Sequence, residues 1–92
     1  MARTKVLIVE DEEAIATLLD YNLAKEDCDT RIAKDGEDAL LKVGEFHPDI
    51  VILDWMLPKI SGIEVCRRLS HAPDTRNVPI IMLTARSEEA AR

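Results

Sequence analysis

The chain has 92 residues, of which 47% are hydrophobic and 33% are charged, and its formal net charge is −6. This composition is typical of a globular protein and excludes collagen-like and disordered chains, and the length allows one domain with a modest core. Binding to a polyanion depends on Lys and Arg side chains that neutralise phosphates, so the negative charge disfavours direct nucleic-acid binding.

Cysteine usage and hydropathy indicate the setting of the protein. Cys28 and Cys66 lie far apart and lack the spacing of a zinc site or a disulfide framework. No apolar run approaches the roughly 20 residues of a membrane span, and the first residues lack the apolar core of a signal peptide. We therefore expect a cytoplasmic protein that has no membrane partner.

Short apolar runs alternate with longer amphipathic stretches along the chain. Continuous apolar runs of the kind found in strands that are buried on both faces occur at residues 6–9, 50–53 and 80–83, with a weaker strand at 30–33. Helices are predicted at about residues 12–25, 36–45 and from 61 to the region of Pro73. A further helix is predicted to begin at Ser87.

The spacing of apolar residues predicts which side of each helix is buried. The residues predicted to face inward are Ile15, Leu18, Leu19 and Leu23 in the first helix, Ala39, Leu40 and Val43 in the second, and Ile63, Cys66 and Leu69 in the third. Asp35 is predicted to cap the second helix, and Ser61 and Glu64 have the spacing of a capping box at the start of the third.

Strands that alternate with helices at this spacing predict an α/β fold with a doubly wound parallel sheet and right-handed crossovers. Such sheets bind ligands at the carboxyl ends of their strands. The polar residues that follow the predicted strands at this edge are Glu10, Asp11, Asp54 and Thr84.

Three carboxylates converge at this edge if the first and third strands are neighbours. Ionised carboxylates repel one another unless a cation joins them, and Mg²⁺ prefers such oxygens while it leaves positions for phosphate oxygens. Asp54 could then act as a nucleophile and form an aspartyl phosphate. Each motif alone also has a simpler explanation: residues 10–13 as a solvated acidic turn at a helix start, and Asp54 as a turn or N-cap residue.

Three segments of the chain carry a family resemblance. They are Val9-Glu10-Asp11-Glu12, Leu53-Asp54-Trp55-Met56-Leu57-Pro58 with Gly62, and Leu83-Thr84-Ala85-Arg86. Together they resemble the signature segments of two-component response-regulator receiver domains, most closely those of the phosphate-regulon, OmpR-type DNA-binding regulators. The resemblance implies a flavodoxin-like receiver domain over residues 1–92, with strand order 2-1-3-4 and without the family's fifth strand and last helix.

The resemblance also implies a role for each site residue. Asp54 is the expected phosphoacceptor, and Mg²⁺ is expected to bind Glu10, Asp11, Asp54 and the backbone carbonyl of Met56. Thr84 is expected to contact the phosphoryl group and to act as the switch. The implied phosphoryl donor is a histidine kinase, and the implied output is transcription control through a DNA-binding effector domain outside these residues, without turnover as an enzyme.

Two enzyme classes are alternatives to this interpretation. A phosphatase of the haloacid-dehalogenase type also uses a strand-end Asp with Mg²⁺, but it needs a second Asp two residues later, where this chain has Met56. A dinucleotide-binding enzyme needs glycines and exposed amides after the first strand. Four acidic residues occupy that turn, at positions 10–13.

The other alternative is an interaction module that is not phosphorylated. Receiver domains carry a lysine at the end of their fifth strand, and neither Lys5 nor Lys59 stands at a strand end that would fit this role. Without a fifth strand, the segment Ile80–Leu83 would form an exposed apolar edge, which is a template for pairing with another chain. This interpretation predicts self-association or domain swapping.

Overall fold

The computed structural model describes residues 3–83. Within this range, seven elements follow one another in strict alternation of strand and helix. They are β1 (Thr4–Val9), α1 (Glu13–Lys25), β2 (Cys28–Ala33), α2 (Gly36–Phe46), β3 (Ile50–Asp54), α3 (Gly62–His71) and β4 (Ile80–Leu83). The predicted elements are therefore confirmed, apart from the helix predicted at Ser87, which lies outside the described residues.

The four strands form one parallel sheet in the order β2-β1-β3-β4, as predicted. Side chains of successive strand residues point to opposite faces, and each face is covered by helices. The core on one face, against α2 and α3, contains Leu7, Val9, Val51 and Leu53 from the strands and Ala39, Val43, Val65 and Leu69 from the helices. The core on the other face, against α1, contains Val6, Ile8 and Ala16.

Two side chains cap the helices as predicted. Asp35 accepts a hydrogen bond from the N–H of Asp38 at 2.8 Å, and Ser61 accepts one from the N–H of Glu64 at 3.2 Å. The Glu64 side chain does not complete a capping box, because its carboxylate is bound instead by Arg67 and Arg68. Each cap satisfies one of the N–H groups that a helix start leaves without an intrahelical partner.

Three predictions about buried helix residues were wrong. Ile15 is 39% exposed, Ile63 is 54% exposed and Leu18 is 60% exposed. The buried face of α1 runs instead through Ala16, Leu19 and Leu23, and that of α3 through Gly62, Val65 and Leu69. Neighbouring residues of a helix point about 100° apart, so a buried face shifted by one residue, later in α1 and earlier in α3, turns these side chains to the flank.

Strand β4 lies at one edge of the described sheet and carries apolar side chains that remain accessible. Ile81 is 47% exposed and Met82 is 39% exposed. The predicted apolar edge is therefore present over the described residues. In the same part of the chain, no helix is long and apolar enough to cross a membrane.

Candidate functional site

The sheet brings three acidic side chains to one point. Strand β1 ends at Val9, which is paired with Leu53 of β3, so Glu10 follows β1 at the level of Asp54. Asp11 comes next in the chain. One carboxylate oxygen from each of Glu10, Asp11 and Asp54 lies within 4.8 Å of the others. The convergence expected from the strand ends is therefore present.

Glu10 is the buried member of this acidic cluster, which consists of Glu10, Asp11 and Asp54. It is 4% exposed, and its Oε2 accepts a hydrogen bond from the N–H of Glu12 at 3.1 Å. The pKa of Glu10 is raised to about 7, mainly by burial and also by the nearby Asp54 and Asp11 carboxylates, whereas the Glu12 N–H lowers it. The ionised form of Glu10 is therefore unfavourable at this position unless a cation is bound.

Asp54 is half-buried, and its Oδ1 accepts a hydrogen bond from the N–H of Met56 at 3.4 Å. The next residue, Trp55, donates its N–H to the carbonyl of Leu83 at 3.1 Å, which ties the end of β3 to the end of β4. Thr84 follows Leu83 and lies outside the described residues. Its proposed contact with a phosphoryl group stays a prediction.

The acidic cluster fits a hard divalent cation. Over residues 3–83, no Lys or Arg side chain forms an ion pair with any of its three carboxylates. Lys59, the basic residue that follows Asp54 most closely, lies near Asp35 and Glu37 of the α2 start, at 3.7 and 3.8 Å. Oxygen ligands without a protein counter-charge are the ligands that Mg²⁺ takes in proteins.

The loop between β3 and α3 borders the acidic cluster. Its residues Trp55 and Met56 are 42% and 56% exposed, whereas Leu57 and Ile60 pack against the core. Gly62 closes the loop, because its N–H donates to the carbonyl of Trp55 at 3.0 Å. A Cβ atom at this position would lie 2.3 Å from the carbonyl oxygen of Asp54, so no larger residue fits.

One feature of this loop was missed in the sequence. Gly36, the first residue of α2, packs directly against Ile60, and a Cβ atom at Gly36 would lie 2.3 Å from the Ile60 carbonyl oxygen. In the sequence, this glycine is explained equally well as the residue after the Asp35 cap. Its contact with a segment more than twenty positions later has no local sequence signal.

A second concave surface lies away from the acidic cluster. It is a groove of about 430 Å³ between α2, α3 and the segment before β4, lined mainly by apolar side chains such as Leu40, Val43 and Val78. None of the described residues that the sequence predicts for the site borders it. Over residues 3–83, the chemistry expected from the sequence thus lies at the carboxyl ends of the strands.

Receiver-type signalling modules have this architecture. They consist of a parallel sheet with helices on both faces, and their acidic cluster follows two neighbouring central strands. Residues 6–92 match the family model for the response regulator receiver domain. The chain belongs to the response regulator receiver domain family. Receiver domains of response regulators are signalling modules and not turnover enzymes, so the phosphatase and dinucleotide-enzyme alternatives are not supported.

Two curated relatives that are similar in sequence to this chain are both named as transcriptional regulatory proteins. The chain is 52% identical over 88 residues to the phosphate regulon transcriptional regulatory protein PhoB of Rhizobium meliloti (strain 1021), covering 96% of this chain and 39% of that protein. It is 51% identical over 85 residues to the alkaline phosphatase synthesis transcriptional regulatory protein PhoP of Bacillus subtilis (strain 168), covering 92% and 35%. The chain thus spans less than two-fifths of the length of these relatives.

Solved structures agree with this fold. A response regulator from Chloroflexus aurantiacus J-10-fl superposes with a TM-score of 0.91 at 36% identity, covering 98% of this chain and 74% of that one. The receiver domain of the sensor histidine kinase PA1611 of Pseudomonas aeruginosa PAO1 has a TM-score of 0.86 at 28% identity, covering 91% and 69%. That structure has a magnesium ion coordinated in its active site cleft.

Proposed function

We propose that this chain is a phosphorylation-controlled switch that accepts a phosphoryl group on Asp54 from a histidine kinase. The observation that supports it best is the acidic cluster, in which three carboxylate oxygens lie within 4.8 Å of one another without a Lys or Arg partner among the described residues. Such an arrangement is costly for folding and is typical of a site that binds a cation.

The residues that would hold Mg²⁺ are Glu10, Asp11, Asp54 and Met56, the last through its backbone carbonyl. When bound, the ion would neutralise negative charge on the transferring phosphoryl group. Asp11 and Asp54 are accessible from solvent, whereas Glu10 closes the cluster from the core side. The ligand set therefore leaves one side of the site open for a phosphate.

In the proposed transfer, a carboxylate oxygen of Asp54 forms a bond to phosphorus while the bond from phosphorus to a histidine nitrogen of the kinase breaks. The departing imidazole keeps the electron pair of that bond and takes up a proton. The Met56 N–H, 3.4 Å from Asp54 Oδ1, orients the carboxylate for this attack. Thr84 is proposed to contact the phosphoryl oxygens of the product.

The relatives suggest the output of the switch. Both curated relatives are named as transcriptional regulatory proteins, so we propose that phosphorylation controls transcription through a DNA-binding effector domain outside the 92 residues. With a net charge of −6, the 92 residues themselves are poorly suited to contact DNA directly. A cytoplasmic location follows from this proposed function.

Modification by a small phosphodonor tests the proposal. The chain is incubated with Mg²⁺ and phosphoramidate, and its intact mass is measured beside those of Asp54→Asn and Asp74→Asn. We expect one added phosphoryl group in the wild type and in Asp74→Asn, whose side chain lies on the loop before β4, and none in Asp54→Asn. A wild-type chain that is never modified, or a modified Asp54→Asn, contradicts the proposal.

A second candidate function is an interaction module that pairs through β4. The observation in its favour is the pair of accessible apolar residues at the described sheet edge, Ile81 and Met82. Light scattering coupled to size exclusion tests it. A dimer that becomes monomeric in Ile81→Lys supports this candidate, and a monomer at all concentrations excludes it.

A further inference from the structure

The loop that follows the phosphoacceptor is fixed at two places by glycines. We define the site loop as residues 55–61, which connect β3 to α3 and include Met56, the proposed carbonyl ligand. At its base, the Gly62 N–H donates to the Trp55 carbonyl at 3.0 Å, and the missing side chain lets the backbone approach Asp54. At its tip, the site loop rests on Gly36 at the start of α2.

The contact at the tip joins two backbones. A Cβ atom on Gly36 would lie 2.3 Å from the Ile60 carbonyl oxygen and 2.6 Å from Ile60 Cβ, both far inside ordinary contact distances. The Gly36 N–H points at the Pro58 carbonyl at 3.5 Å, a long hydrogen bond, so close packing contributes more than this bond does. As the first N–H of a helix, it has no intrahelical partner of its own.

Charge adds a second link between the same two segments. Lys59 Nζ lies 3.7 Å from Asp35 Oδ2 and 3.8 Å from Glu37 Oε1, on either side of Gly36 in the sequence. The N–H of Asp38 lowers the pKa of Asp35 most strongly, and the Lys59 ammonium lowers it further. The pairs are exposed, so each alone is weak.

We propose that Gly36 is a positioning residue that fixes the site loop, and through it the Met56 carbonyl, beside Asp54. The inference deepens the proposed function and rests on it for the metal. The loop is held by its base at Gly62, by Leu57 and Ile60 against the core, and by the tip contact with Gly36.

A glycine of the same helix supplies a matched control. At Gly44, a Cβ atom would meet nothing within 4 Å. Gly36→Ala and Gly44→Ala make the same chemical change, and both raise helix propensity. Only the first displaces the site loop, so a difference between the two variants isolates the contact from general effects of a glycine substitution.

The test measures the loop before it measures the metal. In Mg²⁺-free buffer, hydrogen–deuterium exchange by mass spectrometry should show the amides of residues 55–61 exchanging about tenfold faster in Gly36→Ala. A Mg²⁺ titration followed by Trp55 fluorescence should give an affinity about tenfold weaker, the size of effect expected when a residue that supports a metal ligand is changed. Gly44→Ala should match the wild type in both measurements.

A second variant decides the matter if Gly36→Ala does not fold. Lys59→Gln should speed exchange of the site loop about twofold, since two exposed ion pairs are lost. Its control is Lys42→Gln, which loses the 2.9 Å ion pair between Lys42 and Asp38 within α2. This variant should leave the exchange rate of the site loop unchanged. If Gly36→Ala folds and its site loop exchanges at the wild-type rate, the inference is overturned. If Gly36→Ala does not fold, a wild-type rate of loop exchange in Lys59→Gln overturns it.

The outcome also separates this inference from the proposed function. Loop exchange is measured without metal or phosphodonor, so faster exchange in Gly36→Ala establishes the positioning contact whether or not the chain is phosphorylated. A wild-type chain that binds no Mg²⁺ and takes no phosphoryl group counts against the proposed function. Normal wild-type phosphorylation with an unchanged loop in Gly36→Ala counts against the inference alone.

Discussion

Glu10 and Glu64 are the two glutamates of the described chain whose pKa departs furthest from the usual value, and they depart in opposite directions. Burial raises the pKa of Glu10 to about 7, whereas hydrogen bonds from Arg67 and Arg68 lower that of Glu64 to about 2. Glu64 lies on the outer surface of α3 with its counter-charges supplied by the chain. Glu10 lies at the carboxyl end of the central strand β1, beside the carboxylates of Asp11 and Asp54.

The two regions differ in what offsets their negative charge. At α3, the charge of Glu64 is satisfied by Arg67 and Arg68 on a solvated helix surface. At the acidic cluster, no such partner lies among the described residues, and we propose that a bound cation takes that role. Substitutions in one region can therefore be compared with matched substitutions in the other.

The largest effect is expected when the acidic cluster loses its charge. Glu10→Gln/Asp11→Asn removes two of the three proposed carboxylate ligands, so Mg²⁺ affinity should fall at least about a hundredfold. Trp55 fluorescence during a Mg²⁺ titration measures it. Glu64→Gln makes the same carboxylate-to-amide change on α3, and it should bind Mg²⁺ with the affinity of the wild type. An unchanged binding curve in the double variant would contradict the proposed ligand set.

The next effect is a dependence of stability on pH that Mg²⁺ removes. Because the folded-state pKa of Glu10 is raised from 4.5 to about 7, the folded state binds the extra proton, and its stabilisation is complete below about pH 4.5. It is lost as the pH rises through 7. A shift of this size corresponds to at most about 3 kcal/mol of stability.

Urea unfolding in EDTA at intervals from pH 4.5 to 8 measures this loss. Glu10→Gln should flatten the profile, since an amide does not titrate, and saturating Mg²⁺ should restore the wild-type stability at pH 8. If the wild type loses no stability over this range while Glu10→Gln behaves identically, the raised pKa of Glu10 is wrong.

The two regions also differ in how far they could be predicted from the sequence. The strands were identified because continuous apolar runs are typical of a buried parallel sheet, and Glu10, Asp11 and Asp54 were brought together because carboxyl ends of neighbouring strands meet. The inward faces of α1 and α3 were misjudged at Ile15, Leu18 and Ile63. Apolar residues occur on more than one side of these helices, and the spacing alone does not say which side meets the sheet.

Other features depend on contacts between distant segments. The pKa of Glu10 follows from its burial and from Asp54, which lies more than forty positions later. The packing of Gly36 on Ile60 likewise joins the start of α2 to the site loop, two segments that no local pattern relates. Both the charge state of the site and the support of the site loop therefore become visible only with the structure, while the role of Thr84 stays a prediction.

A moderate effect is expected from the cap of α3, the helix that carries Glu64. Ser61→Ala removes the acceptor of the Glu64 N–H, so the free energy of unfolding should fall by about 1 kcal/mol. Thermal or urea unfolding measures it. Ser70→Ala, near the other end of the same helix, should change stability little, and Ser61→Asp should keep the cap. Equal stability of Ser61→Ala and Ser70→Ala would show that the cap contributes nothing.

The smallest effect is expected at Glu64 itself. Its lowered pKa means that the carboxylate's stabilising contribution is present above about pH 4.5 and is lost as the pH falls toward 2, the opposite direction from Glu10. Arg67 and Arg68 are more than half exposed, so water and salt screen both pairs. Glu64→Gln should therefore lower the Tm at pH 7 by no more than about 2 °C, and less in 1 M salt. A larger decrease that persists in high salt would mean that this surface network stabilises the fold more strongly than its exposure allows.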